Sequence, residues 1–203
     1  MTLLLQTGYL TFTDDSPFTG QISVRIPNFE IYTCFEEKIK GLYDTSDDTW
    51  LDKARKLIEY LMINNTKEIK LIIDDFLGKF ISFKNTGYES FYHGFIHGLL
   101  SIVASEKSIK ANHDKESGDG FADITLDNPR SNTAVIIEFK KTENDNSKRT
   151  AAAHAAAKQI IDRKYANEFI QMQYTKIYGL GIGVGGKYCA IESLGNLAKI
   201  NSN

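Results

Sequence analysis

The chain has 203 residues, 42% of them hydrophobic, with a formal net charge of −2, so it can bury a full core as one domain or one domain plus a small lobe. No run approaches the roughly 18 apolar residues of a membrane span, and the opening Met-Thr-Leu-Leu-Leu-Gln-Thr-Gly is too short for a signal peptide, so the expected location is cytoplasmic. Cys34 and Cys189 lie far apart, with no second cysteine or histidine pair beside either. They read as buried thiols rather than as a zinc site or a disulfide framework.

Residues 6–13 and 21–26 read as two strands around a turn, a short hairpin ended by Pro27-Asn28. Helices then dominate to about residue 80. Trp50, Leu51, Ala54, Leu57, Ile58, Leu61 and Met62 recur at three- and four-residue spacing, with Asp47 or Asp48 placed to cap that helix. A second helix over 66–80 carries Ile69, Ile72, Ile73, Phe76 and Leu77. Nothing in this lobe forms a catalytic constellation; its stripes are core.

From Tyr88 the pattern changes to a helix, three strands, a helix and two strands. The helix over 89–104 has a buried stripe of Phe91, Phe95, Leu99 and Val103, with Glu89 and His93 one turn apart on a neighbouring face. Strands are expected over 108–116, 121–127 and 133–140, a helix over 147–169 whose alanines let it pack close to a sheet, and strands over 178–184 and 187–194. The expected domains are 1–83, a hairpin and helical lobe, and 84–203.

Two acids and a lysine stand inside the apolar strands. In Val135-Ile-Ile-Glu-Phe-Lys140 the two-residue period sends Glu138 and Lys140 to one face, roughly 6.6 Å apart. Asp123 sits in Phe-Ala-Asp-Ile-Thr-Leu on the preceding strand. If the strands form a hairpin with Asp127 opposite Ala134, Asp123 falls opposite Glu138, and carboxylates that close repel unless a divalent cation lies between them. A structural salt bridge is the plainer alternative. Glu116 and Asp119, in the turn before Asp123, are candidate accessory ligands or solvated turn acids, and His97 and His154 read as packing or surface histidines.

Positive charge concentrates just beyond Glu138, in Lys140, Lys141, Lys148, Arg149, Lys158, Arg163 and Lys164. Such a block is either a solvated helix face or a contact for nucleic-acid phosphates. Gly181, Gly183 and Gly186 match the spacing of a dinucleotide fingerprint, yet that loop needs a helix after it and Lys187-Tyr-Cys-Ala-Ile reads as a strand. The glycines instead leave one strand face bare for a packed helix, with Gly185-Gly186 as a hairpin turn. No phosphate loop of the Gly-x4-Gly-Lys-Ser/Thr type is present.

This order of elements, with Asp on the second strand and Glu-x-Lys on the third, resembles the PD-(D/E)XK nuclease superfamily. The segments Glu89-Ser-Phe-Tyr-His-Gly-Phe, Gly120-Phe-Ala-Asp-Ile, Ile136-Ile-Glu-Phe-Lys and Gln159-Ile-Ile-Asp-Arg-Lys-Tyr-Ala are similar to the nuclease half of bacterial proteins that join an AAA-ATPase-like domain to such a nuclease. Leu4-Leu-Gln-Thr-Gly-Tyr-Leu-Thr and Ile26-Pro-Asn-Phe-Glu-Ile resemble the segment that links those halves. The ATPase half is not in the sequence, so the resemblance implies a cut-down or shorter relative, or one with a separate AAA-ATPase-like partner.

The resemblance implies an α/β fold: a restriction-endonuclease-like core with a mixed central sheet flanked by helices, plus the N-terminal hairpin and helical lobe. It implies Mg²⁺ or Mn²⁺ as cofactor and DNA, or RNA, as substrate; no membrane association is expected, since no run is long and apolar enough to span a bilayer. Asp123 and Glu138 become metal ligands, with the Phe139 carbonyl, Glu89 and His93 as further ligands. Lys140 orients or activates the attacking water, and Gln159 is the glutamine that follows the lysine. Lys141, Lys158, Arg163 and Tyr165 are the candidate nucleic-acid contacts. In RecB-like members a tyrosine comes four residues after the glutamine. Here Arg163 holds that place and Tyr165 comes six after it, which on a continuous helix turns it roughly 120° away from Gln159. A binding module of the same fold with a weakened site is the alternative.

Overall fold

A computed structural model of the chain describes residues 11–12, 24–25, 27–28, 30, 50–80 and 89–202. The chain forms two compact units, Met1–Trp50 and Leu51–Asn203. In the first, β1 (Thr11–Phe12) pairs antiparallel with β2 (Val24–Arg25), as a hairpin requires. The rest of the expected hairpin, Cys34 and the Asp47 or Asp48 cap lie outside the described residues.

The second unit opens within α1 (Trp50–Met62), which buries Ala54, Leu57, Ile58 and Leu61 on one stripe. Asn64 takes a left-handed conformation after it, and α2 (Thr66–Phe80) follows with Ile69, Ile73, Phe76 and Leu77 buried. Both helices lie in the same compact unit as the sheet, and α2 is bonded to it. Asp74 Oδ1 accepts the backbone N–H of Cys189 at 2.7 Å, and Lys187 Nζ donates to the Gly78 carbonyl at 3.0 Å. Burial and the Asp74 carboxylate push the Cys189 thiol well up, which keeps it protonated.

After α3 (Glu89–Ala104) come β3 (Lys110–Ser117), β4 (Gly120–Asn128), β5 (Thr133–Lys141), α4 (Asn146–Asp162), α5 (Asn167–Gln171), β6 (Lys176–Gly185) and β7 (Tyr188–Asn196). The five strands form one mixed sheet in the order β3-β4-β5-β6-β7. Only β5 and β6 run parallel, and α4 and α5 make the connection between them. Strand β5 lies at the centre and is buried from Thr133 to Phe139, so a charge on it is costly unless it is paired.

The β6 glycines work as their spacing suggests. A Cβ on Gly181 would lie 2.2 Å from the Ala153 carbonyl oxygen, and one on Gly183 2.0 Å from that of Arg149. Helix α4, rich in alanine, therefore rests backbone-to-backbone on β6, and Gly186 turns the β6–β7 hairpin with φ +64.

One expected element breaks. The helix over 147–169 ends at Asp162, and Lys164 turns left-handed with φ 55 before α5 begins. Neither glycine nor proline marks this stop in the sequence, and the apolar residues on either side continue a helical period.

Candidate active site

The β4–β5 ladder runs from Asn128 opposite Thr133 to Ile124 opposite Ile137, with Asp127 opposite Ala134 as expected. It stops there, so the direct Asp123–Glu138 pair that this register would extend to is not formed. Each carboxylate instead crosses to the other strand's backbone. Asp123 Oδ2 accepts the Phe139 N–H at 2.8 Å, and Glu138 Oε2 lies 3.4 Å from the Asp123 nitrogen that donates to it.

The cause is a slip in side-chain alternation along β4. Thr125 pairs with Ile136 and shares its face, while Ala122 packs into the same cluster as Ile136, Ile160 and Tyr165. Residues three apart on a regular strand face opposite ways, so β4 changes side between Ala122 and Thr125. Asp123 falls in that irregular stretch, and its carboxylate occupies the gap between the strands.

Glu138 is 2% exposed, and three groups hold its charge. Gln159 Nε2 donates to Oε1, the Asp123 N–H to Oε2, and Lys140 Nζ lies 3.9 Å from Oε1. The Lys140 side chain is 34% exposed, so it links the buried acid to the solvent edge. Within a strand residue the N–H and C=O project toward the same neighbouring strand, so the Phe139 carbonyl faces the gap that holds Asp123.

Because α4 ends at Asp162, Tyr165 is not carried around the helix. The left-handed turn at Lys164 folds the chain back, and Tyr165 Oη comes to 3.4 Å from Gln159 Nε2 as its acceptor. This corrects the helical projection that separates the two residues. Tyr165 is also only 2% exposed, inside the cluster with Ala122 and Phe169. An inward phenol cannot meet a phosphate at the surface; it can hold the Gln159 amide.

The other sequence candidates are distributed around this centre. The backbones of Glu89 and His93 belong to α3, and their side chains lie outside the described residues. Lys141 is exposed at the end of β5, and Lys158 on α4 pairs with Asp162. Arg163 Nη1 donates to the Asp119 carbonyl at 3.1 Å, the Asp119 N–H to the Arg163 carbonyl at 2.8 Å, and Lys164 Nζ lies 3.1 Å from the Asp119 carboxylate. Asp119 thus ties the β3–β4 turn to the end of α4, and Glu116 is exposed. His97 is bonded to Ser101 and its ring lies 4.9 Å from that of His113, while His154 pairs with Glu192 at 2.8 Å. On the same strand as Asp123, Asp127 accepts from the Tyr174 hydroxyl at 2.9 Å, and burial together with that carboxylate pushes the phenol up to about 12.

Several cations of the basic block already have surface partners, Lys148 with Glu143 among them. Exposed pairs of this kind contribute little stability, so they can exchange partners with phosphate. Among the described residues, no group of three or more His, Cys, Asp or Glu side chains is placed to hold a metal ion. No described helix is long and apolar enough to cross a membrane.

The model of the PD-(D/E)XK nuclease superfamily matches residues 87–194, more than half of the chain, from the start of α3 into β7. The chain belongs to the PD-(D/E)XK nuclease superfamily. Its mixed sheet with flanking helices is the restriction-endonuclease-like core of that superfamily, and the membership points to nuclease activity. Asp123, Glu138, Lys140, Gln159 and Tyr165 all fall within the matched PD-(D/E)XK segment. No curated protein matches the chain. Among solved structures it is similar to the crystal structure of SSO0001, with 11% identity and a TM-score of 0.27 over 83% of this chain and 78% of that one.

Proposed function

We propose that the chain is a divalent-metal-dependent nuclease that hydrolyses nucleic-acid phosphodiester bonds, DNA first among them, with Mg²⁺ or Mn²⁺ as cofactor. The observation that carries this reading is the reciprocal arrangement of Asp123 and Glu138 across the parted strands, with Lys140 Nζ 3.9 Å from Glu138. The donor set fits a hard cation: two carboxylates and a backbone carbonyl, that of Phe139, all offering oxygen. Glu89 and His93 are the proposed further ligands from α3. When bound, the metal would polarise a phosphate oxygen and acidify a water molecule.

The protein's own groups have separate tasks. Glu138 and Asp123 supply negative charge in a partly dry gap, and Gln159, steadied by Tyr165, fixes the orientation of Glu138. Lys140 orients the attacking water or stabilises the charged phosphate. Lys141, Lys158 and Arg163 meet backbone phosphates at the rim. Such contacts position a strand without reading its bases, so binding is strongly salt-dependent and weakly specific. In this reading residues 84–203 carry the chemistry and 1–83 do not.

The test is incubation with linear, circular and single-stranded DNA and with RNA, in Mg²⁺, Mn²⁺ or EDTA, beside Asp123→Ala and Lys140→Ala. Metal-dependent cleavage that both substitutions abolish is the expected result. Cleavage that survives both substitutions and chelation overturns the mechanism.

A further inference from the structure

Arg149, in the first turns of α4, has surroundings unlike those of the other cations in the basic block. It is 9% exposed, and no carboxylate among the described residues lies within salt-bridge distance of it. Its Nη1 donates to Asn144 Oδ1 at 2.9 Å, and its guanidinium stands 5.5 Å from the centre of the Tyr188 ring. Its Nε is the buried side-chain atom without a hydrogen-bond partner among the described residues. Nη2 makes no hydrogen bond among the described residues and is not fully buried, so it is a donor left open to a ligand.

A guanidinium that is nearly buried without an acid is costly unless something else answers its charge. The nearby acids are already engaged: Glu143 with Lys148 at 2.6 Å, and Asp145 with Ser147 and the Lys148 N–H as the cap of α4. Tyr188 adds the second half of the site. It is 53% exposed, with Arg149 at its ring, on the hairpin that follows β6. The Arg149 carbonyl rests on Gly183, and Gly183 pairs with Lys140, so the pair adjoins the strand that carries the proposed chemistry.

We propose that Arg149 and Tyr188 form a docking station for a single nucleic-acid strand, in which Nη2 of Arg149 takes a backbone phosphate and the open part of the Tyr188 ring stacks an unpaired base. The proposal rests on the nuclease reading for its ligand class. Duplex DNA keeps its bases stacked on each other and can use only the phosphate half, so the station favours single-stranded or frayed substrate. Guanidinium and aromatic ring also support each other, since the cation–π contact holds the ring in place for the base.

Fluorescence anisotropy of a labelled single-stranded oligonucleotide, measured in EDTA over a salt series, tests this with the full chain. Tyr188→Leu should weaken binding roughly tenfold, while Tyr188→Phe stays within about twofold because the stacking face remains. Arg149→Met should flatten the slope of log affinity against log salt by roughly 0.7, the value of one phosphate contact on a single strand. Tyr188 is exposed, so its variants report even if Arg149→Met fails to fold. Unchanged affinity in Tyr188→Leu, or no binding of the oligonucleotide by the unsubstituted protein, overturns the station. Tyr188-dependent binding without cleavage in Mg²⁺ or Mn²⁺ keeps the station and removes the nuclease reading, and cleavage with Tyr188-independent binding does the reverse.

Discussion

The Asp123 carboxylate accepts the Phe139 N–H at 2.8 Å, taking the place that a backbone carbonyl of the neighbouring strand would hold in an unbroken ladder. A candidate metal ligand is therefore also a piece of the sheet, and the two roles separate on substitution. Asp123→Asn keeps an acceptor for Phe139 and removes the charge. We expect its stability to stay within about 1 kcal/mol of the unsubstituted chain, measured by urea denaturation. Cleavage should fall roughly a hundredfold or more, since metal-assisted charge stabilisation is worth several kcal/mol.

Gln159 faces Glu138 with one bond and Tyr165 with another, so shortening that contact leaves a buried carboxylate short of a donor. Gln159→Leu should cost about 1–3 kcal/mol of stability and, if Glu138 holds the proposed metal, reduce cleavage by about 10- to 100-fold. Tyr165→Phe keeps the ring in its cluster and loses only a 3.4 Å bond, so its stability should change by less than about 1 kcal/mol. A drop in kcat with little change in KM would identify it as a positioning residue.

The glycines of β6 and α3 should respond to alanine with opposite signs. At Gly183 a Cβ would press to 2.0 Å from the Arg149 carbonyl oxygen, backbone that cannot yield without moving α4. Gly183→Ala should therefore destabilise by about 1–3 kcal/mol or more. At Gly94, exposed within α3, nothing among the described residues lies within 4 Å of the added atom. Gly94→Ala should stabilise by about 0.5–1 kcal/mol through helix propensity alone. Thermal unfolding of the two variants, read side by side, checks both.

Tyr174 carries the alkaline prediction. Burial and the Asp127 bond hold its phenol at about 12, above its ordinary value of 10.0, so the folded chain keeps a proton that the unfolded chain releases. The stability linked to Tyr174 is fully present below pH 10 and is lost as pH rises through about 12. Tyr174→Phe should flatten the decline in this window, which denaturation midpoints measured between pH 9 and about 12 would reveal.

The spacing of apolar residues is enough to find the helices at Trp50–Met62, Thr66–Phe80 and Glu89–Ala104. The last, however, buries Tyr92, Ile96, Leu99, Leu100 and Val103 and leaves Phe95 half-buried, a stripe turned from the one through Phe91 and Phe95 that its spacing suggests. Asp123, Glu138 and Lys140 stood out for a different reason: charge within apolar strands has few cheap explanations. The β4 slip was not legible, since it arises from how Ala122 and Asp123 settle against the cluster around Tyr165 and β5, a matter of tertiary packing. The end of α4 was hidden as well. Its stop is made by Lys164 in a left-handed conformation, which hydrogen bonds between Asp119 and Arg163 support from a distant turn.

That distant support has a consequence for the order in which the molecule assembles. Arg163 and Asp119 are 44 positions apart, and Ser117 Oγ donates to the Tyr165 carbonyl across 48. Neither bond can form until the chain between them has closed into the sheet and helix, so Tyr165 reaches Gln159 late, after the loop-closure entropy has been overcome. Amide hydrogens at Asp119 and Tyr165 should then exchange with solvent only when the whole unit opens, at the same rate as the centre of β5. The proposed centre would thus have no partly assembled form in which Gln159 is held and the β3–β4 turn is not.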